Sequence, residues 1–541
     1  MWAKNLLFLS ICAVGLALLV GGVAPSFTTA ERERAVLGLA SIQKSAARID
    51  AAFARQWQEQ GIAPAPPADD LQVARRMALA LAGTIPSLED IRHLEGLRED
   101  QRLSIWLAEL LADRRSADYL AERLARAYVG VEGGPFLLYR RRRFVSWLAD
   151  ELAANRPYDE IVRHLIADTG LWTDSPAVNF VTVTINPGDE NRPDPNRLAA
   201  RVARSMLGVR LDCAECHDHP FAAWKQRDFQ ALAAFFGGTR QGLRGIRDYP
   251  GDFKVENLQT GDSVTMKPSV PFDGELLSAE GTQRQRLAGW VTHPGNRAFA
   301  TATVNRTWAI LFGRPLVEPI DDLPPDGELP QPLEILADDF VAHGFDLRRL
   351  VAVIATTDAF QLDSKLPPDA NTPSEGEFEK RERAWAVFPL SRLRPEQVVG
   401  ALLQASSLAT IDYESNILIR AARTIGQNEF VERYGDAGAD EFEQRSGTTS
   451  QRLVLMNGKI VTEKTKNDLL ASAASQIAAF APNDRVAVES SFLAVLSRRP
   501  TEEEAALFAS RLRDTQGERR TDRLSDLYWT LLNSTEFSWN H

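Results

Sequence analysis

The sequence predicts a mainly α fold: two helical modules joined by a short β-hairpin-containing segment, after an N-terminal signal or anchor helix. Three observations carry that reading. Most of the chain runs as long stretches divided by proline and glycine punctuation. Several of those stretches open on recognisable helix starts. One interval, between Tyr249 and Pro271, shows short alternating runs instead.

Residues 1–30 form the signal or anchor. Lys4 is the first charge, and Asn5 to Val23 carries none, the pattern of a positive n-region followed by an apolar h-region. Thr28-Thr29-Ala30 offers a cleavage site just before the charged Glu31-Arg32-Glu33-Arg34. The apolar run is also near the minimum for a membrane span, so an uncleaved anchor stands beside the cleaved signal. Lys4 then favours a cytoplasmic N-terminus. Either way the bulk of the chain is expected in the periplasm or cell envelope. Cys12 is a poor lipoprotein cysteine, because Ile11 precedes it where a small residue is wanted.

Residues 31–68 read as a helical spacer closed by Pro64-Ala65-Pro66-Pro67. The first module spans 69–240. Within it Ile85-Pro86-Ser87-Leu88-Glu89-Asp90 is a helix start, with Ser87 as cap and Asp90 at the third helical position. A connector, 241–280, holds the alternating runs Phe253 to Leu258 and Ser263 to Met266 around Thr260-Gly261-Asp262, read as a β-hairpin. The second module spans 281–541. Arg394-Pro395-Glu396-Gln397 opens a helix there with proline in its first turn, and Thr501 with Glu504 forms a stronger capping box. Leu366 to Glu379 and Tyr434 to Thr449 read as exposed polar loops.

At 541 residues the chain has room for roughly two to four domains. Its net charge of -11 argues against nonspecific nucleic-acid binding. An exported chain left with two cysteines has no disulfide framework, so large apolar cores must hold it together.

Those two cysteines stand in Cys213-Ala214-Glu215-Cys216-His217, the C-x-x-C-H spacing that attaches a haem c. The thiols of Cys213 and Cys216 would form thioethers to the haem vinyl groups, and His217 would be the proximal iron ligand. The sixth ligand is unknown: Met206, Met266, His164 and His293 are candidates without diagnostic spacing, and His219 is too close to reach the opposite face. A redox or structural disulfide competes with haem. So does zinc on Cys213, Cys216, His217 and His219, although four ligands within seven residues would strain a tetrahedron. Phe221, Trp224, Phe229, Phe235 and Phe236 would either wall a haem pocket or build helix core.

Arg140 to Arg143 would meet haem propionates or an acidic glycan, or else form a solvated helix face. In the second module Asn305, Arg306 and Trp308 sit in a helical stretch, followed by Asp321 and Asp322 in a proline-rich loop with Asp326 and Glu328. Paired acids beside an arginine hold a cation or polarise a substrate, or serve as salt bridges and caps. Asn305-Arg306-Thr307 and Asn533-Ser534-Thr535 fit the glycosylation pattern, but in helical context they carry no weight. G-x-S-x-G, H-E-x-x-H and P-loop motifs are absent.

Leu207 to Phe221, with Trp224, Asp228 and Leu232-Ala233-Ala234-Phe235-Phe236, together with Asn155-Arg156-Pro157-Tyr158-Asp159, resembles one known module. Val304-Asn305-Arg306-Thr307-Trp308, Phe312-Gly313-Arg314, Asp321-Asp322, Asp339-Phe340, His343-Gly344-Phe345, Leu455-Met456-Asn457-Gly458 and Leu532 to Phe537 resemble a second. From Asp69 to His541 the chain is similar to the planctomycete cytochrome-type envelope proteins, built from domain-of-unknown-function families 1549 and 1553 in tandem. It departs from them at Ala80, where an aspartate is usual, around Ala127 to Gly134, and in its short connector. The resemblance implies a cytochrome label and no settled reaction.

The leading expectation is therefore an exported haem c protein of electron transfer, coupled to processing of a substrate held by the second module. Its redox partner is unknown, an envelope polysaccharide is a candidate partner, and the membrane is one if the N-terminal segment stays. A structural or carbohydrate-binding envelope protein with a Cys213–Cys216 disulfide is the first alternative. A metal-dependent hydrolase using the second module's acids is the other.

Overall fold

The computed structural model describes residues 29–131, 139–185, 192–219, 223–256, 262–324, 327–366, 375–411, 430–431, 433–435, 442, 448–458, 468 and 472–541. Helices make up 63% of it, in 22 segments, against three two-stranded sheets among the described residues, so the class is mainly α. Residues 1–28, which hold most of the signal or anchor, lie outside the described residues. Among those described, no helix is long and apolar enough to cross a membrane.

Local chemistry sets the helix starts. Ser87 Oγ accepts from the Asp90 amide at 2.9 Å while Asp90 accepts from the Ser87 amide at 2.9 Å, capping Leu88–Gly96. Thr501 and Glu504 exchange the same two bonds, at 3.2 and 2.8 Å, ahead of Glu502–Leu512. Pro395 opens Pro395–Ala405, where the Gln397 side chain accepts from the Arg394 amide at 2.9 Å.

The connector hairpin is present: Phe253–Glu256 runs antiparallel to Ser263–Met266, with Phe253 opposite Met266. A second hairpin, absent from the sequence reading, pairs Thr239–Gly242 with Gly245–Asp248. Its four-residue strands lack an alternating pattern, and it is held instead by Ile246 exchanging backbone bonds with Gly170 at 2.8 and 2.9 Å. Gly245 permits this approach, because a Cβ there would fall 1.9 Å from the Gly170 oxygen. Ser391–Arg392 pairs with Trp539–Asn540 and ties down the C-terminus. The two predicted loops lie largely outside the described residues.

Burial follows a different grouping from the linear order. One large core draws on residues from Ile49 to Phe388, and a second gathers residues from Leu393 to Phe537 around Leu79 and Ile85. Thr29–Gln60, the stretch read as a spacer, contributes Ile49, Phe53 and Trp57 to the first core. The Trp57 indole donates to the Ala384 carbonyl at 2.8 Å, and the Phe53 ring lies 5.9 Å from Trp308. Arg297–Phe312 runs through that core and is buried from Phe299 to Phe312, with Arg306 the single exception.

Candidate functional site

Pro195–Met206 is capped at Leu207, and Gly208, with a φ of 65°, then turns the chain back. A Cβ on Gly208 would meet Leu323 at 3.0 Å and Ala302 at 3.1 Å, and its carbonyl accepts from the Leu323 amide at 2.7 Å. The C-x-x-C-H turn therefore leaves from a point pressed against the second module. A 3-10 turn, Leu211–Ala214, follows, with Leu211 and Ala214 buried as its anchors. Between and beyond those anchors the motif faces solvent: Cys213 and Cys216 are unpaired thiols, both exposed, and His217 is exposed too.

Polar contacts fix the turn from several sides. Arg204 forks onto Asp212 at 2.9 and 2.6 Å and reaches Asp321 at 3.2 Å, while Arg210 holds the other Asp321 oxygen at 2.9 and 2.7 Å. Asp212, Arg204, Asp321 and Arg210 thus form one alternating chain of charge that joins the motif to the second module. Hydrogen bonding to Asp212 raises the Arg204 guanidinium, and hydrogen bonding to Asp321 raises Arg210. Glu215 accepts from Asn196 at 3.1 Å. The Gln226 amide donates to Asp218 at 3.0 Å, which lowers that carboxyl, with Lys225 adding to the effect. His219 and Trp224 close the following loop through a 2.9 Å backbone bond.

His217 Nδ1 lies 2.7 Å from the Asp218 carbonyl oxygen. A carbonyl only accepts, so Nδ1 carries a hydrogen, and in the neutral ring the lone pair is on Nε2. This is the tautomer a metal-bound imidazole takes. Two reachable thiols and one oriented imidazole on a single turn fit the attachment of a haem. Walls are sparser. Phe229, Phe235 and Phe236 are buried in the core, Phe221 lies outside the described residues, and half-buried Trp224 remains, 6.3 Å from Phe272.

The candidate sixth ligands are dispersed. Met206 is buried in the core, and Met266 ends the connector hairpin. His164 is exposed and bonds Asp168 at 2.9 Å, while His293 accepts from the Gly295 amide at 3.0 Å. Among the described residues no group of three or more His, Cys, Asp or Glu is arranged to hold a metal ion. The arginine run divides: Arg141 forks onto Glu122 at 3.0 and 2.8 Å, whereas Arg142 and Arg143 are exposed.

The second-module candidates do not converge on one site. Asn305 is wholly buried and clamps Val317, donating to its carbonyl at 2.9 Å and accepting from its amide at 3.0 Å. Trp308 is also wholly buried, stacked 4.2 Å from Phe312. Asp321 joins the motif through the arginines above, and Asp322 is exposed beside it. Asp326 lies outside the described residues. Arg306 is half-buried on the same helix as Asn305; burial raises the phenols of Tyr128 and Tyr158, whose buried hydroxyls bond each other, and the Arg306 charge acts to lower them. Sequence reasoning assigned no role to Arg204, Arg210, Asp212, Tyr128 or Tyr158. The 321–210 partnership spans the connector, and no local pattern announces it.

Residues 48–241 match PSCyt2, described as a protein of unknown function (DUF1549), and residues 283–512 match PSD1, a protein of unknown function (DUF1553). No curated protein and no solved structure matches the chain. The identity and order of the two matches agree with the resemblance read from the motifs: the chain carries these two families in tandem.

Proposed function

We propose that this is an exported envelope protein that carries one covalent haem c on Cys213 and Cys216, with His217 as proximal ligand, and takes part in electron transfer. The observation behind this reading is the exposed turn on which both thiols are reachable and the exposed His217 is tied through Nδ1, which leaves Nε2 as its ligating nitrogen. Each attachment adds a thiol S–H across a vinyl double bond: an S–C bond forms, the π bond is lost, and the proton goes to the neighbouring carbon. The group would supply a one-electron redox centre. The chain's own part is positional. Asp218 holds the tautomer of His217, and the Asp212–Arg204–Asp321–Arg210 chain fixes the turn against the second module. In that arrangement Asp321 is engaged by two guanidiniums, which disfavours the cation-binding role considered for a hydrolase.

The test is a visible spectrum of the full chain, matured with a cytochrome c assembly system, then denatured and reduced. A haemochrome band that persists after denaturation and is lost in Cys213→Ala/Cys216→Ala is the expected result. A colourless product with haem supply verified, or a band retained by the double variant, would sink the proposal. Thiol titration of a colourless product would then separate a disulfide from two free thiols.

A further inference from the structure

A cavity of about 130 Å³ lies at the seam of the two modules. The helices Asp70–Ala82, Glu99–Ala112 and Arg141–Ala153 end beside it, and Arg114–Val129 and Leu347–Thr356 begin there. The first module supplies Leu81, Leu111 and Leu120 to its wall, and the second supplies Ile310, Leu311 and Val351. Close packing leaves few such voids in a protein, because the lining of each forfeits contacts. A dry cavity of about 150 Å³ admits benzene, so this one has room for an apolar body of that order. Seams between domains are also where small-molecule pockets preferentially form.

Four charged side chains line the cavity, and three of them already have partners. Arg114 holds Asp118 at 3.0 Å and Asp150 at 2.7 Å. Arg156 pairs with Glu151 and Glu160, and Asp113 pairs with Arg115 at 2.6 Å. Arg348 is the exception. It donates to the Leu152 and Ala153 carbonyls at 3.4 and 2.8 Å, and both of those residues line the cavity, so the guanidinium is fixed at this wall. Among the described residues no carboxylate pairs with it, and its Nε and Nη1 make no hydrogen bond. Half-buried Asn155 lines the same wall, and its side-chain amide makes no hydrogen bond among the described residues either. A half-exposed arginine without a counter-ion is ordinary on a surface. What distinguishes Arg348 is its place on the rim of an apolar hollow. One uncompensated cation there matches one anion, and a guanidinium suits a planar carboxylate.

We propose that this cavity binds a small free carboxylic acid whose apolar body is about the size of benzene. The body lies among the helix ends and the carboxylate meets Arg348. The site uses none of Cys213, Cys216 and His217, so it stands or falls apart from the haem reading. Both modules line it, so its occupancy also bears on how they hold together.

The probe is benzoate, titrated into the full chain at constant ionic strength against chloride. Thermal unfolding and saturation transfer from protein to the ring protons are the readouts. A saturable rise in Tm and saturable transfer are expected, since a ligand that binds only the folded state stabilises it by mass action. Benzyl alcohol keeps the ring without the charge, and acetate keeps the charge without the ring. Benzyl alcohol should bind about 10-fold more weakly or worse, the worth of a hydrogen bond to a charged group, and acetate should bind more weakly than benzoate. Arg348→Gln should weaken benzoate by the same factor and leave benzyl alcohol unchanged, whereas a merely structural loss would weaken both. Ala117→Leu, which adds side-chain volume at a buried lining position, should abolish binding of both aromatic probes. No saturable response in the parent, or an equal benzoate response in Arg348→Gln, overturns the proposal. Benzyl alcohol binding as tightly as benzoate overturns the carboxylate assignment, and acetate binding as tightly as benzoate overturns the role of the cavity. Should Ala117→Leu fail to fold, Arg348→Gln and the two control ligands decide.

Discussion

The Asn305 side chain imitates a strand neighbour: its amide gives one bond to Val317 and takes one from it, at 2.9 and 3.0 Å, and so pins the return loop to the core helix. Asn305→Ala leaves both Val317 groups without partners. Because Val317 is half-exposed, water recovers part of the loss, and a cost of about 1–3 kcal/mol is expected in urea unfolding. Trp308 should behave asymmetrically. Trp308→Ala removes a ring stacked on Phe312 and should cost about 3–5 kcal/mol. Trp308→Phe keeps an aromatic ring and also deletes an indole N–H that has no partner, so its cost should stay below about 2 kcal/mol. Equal losses in the two Trp308 variants would refute that account. Of the five second-module residues singled out by sequence, the three on one helix separate into two packing residues, Asn305 and Trp308, and the half-buried Arg306. Sequence could not sort them, because a helix buried on all sides has no polar face to mark which side chain is packed and which is available.

Elements held by neighbouring residues were legible in advance, and elements held by distant ones were not. The boxes at Ser87 and Thr501 lie within four residues, and each appears where its pattern places it. The Thr239–Asp248 hairpin depends on Gly170, and the C-x-x-C-H turn on Asp321 and Leu323, so neither support has a local signature. The exposed motif itself was legible, but its attachment to the second module was not. Gly208 is where that dependence can be measured. Its positive φ disfavours any Cβ, and the Cβ would press on Leu323 and Ala302. Gly208→Ala should cost about 1–3 kcal/mol and should speed proteolytic cleavage near residues 209–219. Cleavage within Asp484–Leu496, in the second core, should be unchanged. Uniformly faster cleavage would mean that the turn is not the element that loosens.

Across the whole molecule, the N-terminal helix is held by polar contacts on two sides, and the carboxyl of Asp50 makes its docking depend on pH. On one side Ser45 donates to Asp339 at 2.5 Å, and Arg349 reaches Asp339 at 3.2 Å and Ser45 at 2.9 Å. On the other, Asp50 accepts from the Asp358 amide at 2.9 Å. Burial, then the nearby Asp358 charge, pushes the Asp50 carboxyl up to about 7. Between its ordinary value of 3.8 and about 7 the unfolded chain has lost this proton while the folded chain keeps it. Folded protein then binds more protons than unfolded, so stability falls as pH rises through that window and levels off above it. Glu536 has the opposite sign: burial alone would raise it, but hydrogen bonds from Arg498, with the His541 ring 3.7 Å away, prevail and hold it low, so its contribution is present above 4.5 and fades in acid. Asp50→Asn keeps an oxygen for the Asp358 amide and removes the ionisation. The Tm difference between this variant and the parent should be small near pH 4, grow in the variant's favour up to about pH 7, and then hold constant. A difference that is flat across that range would show that Asp50 ionises as an ordinary surface carboxylate and that the helix is docked without the burial described here.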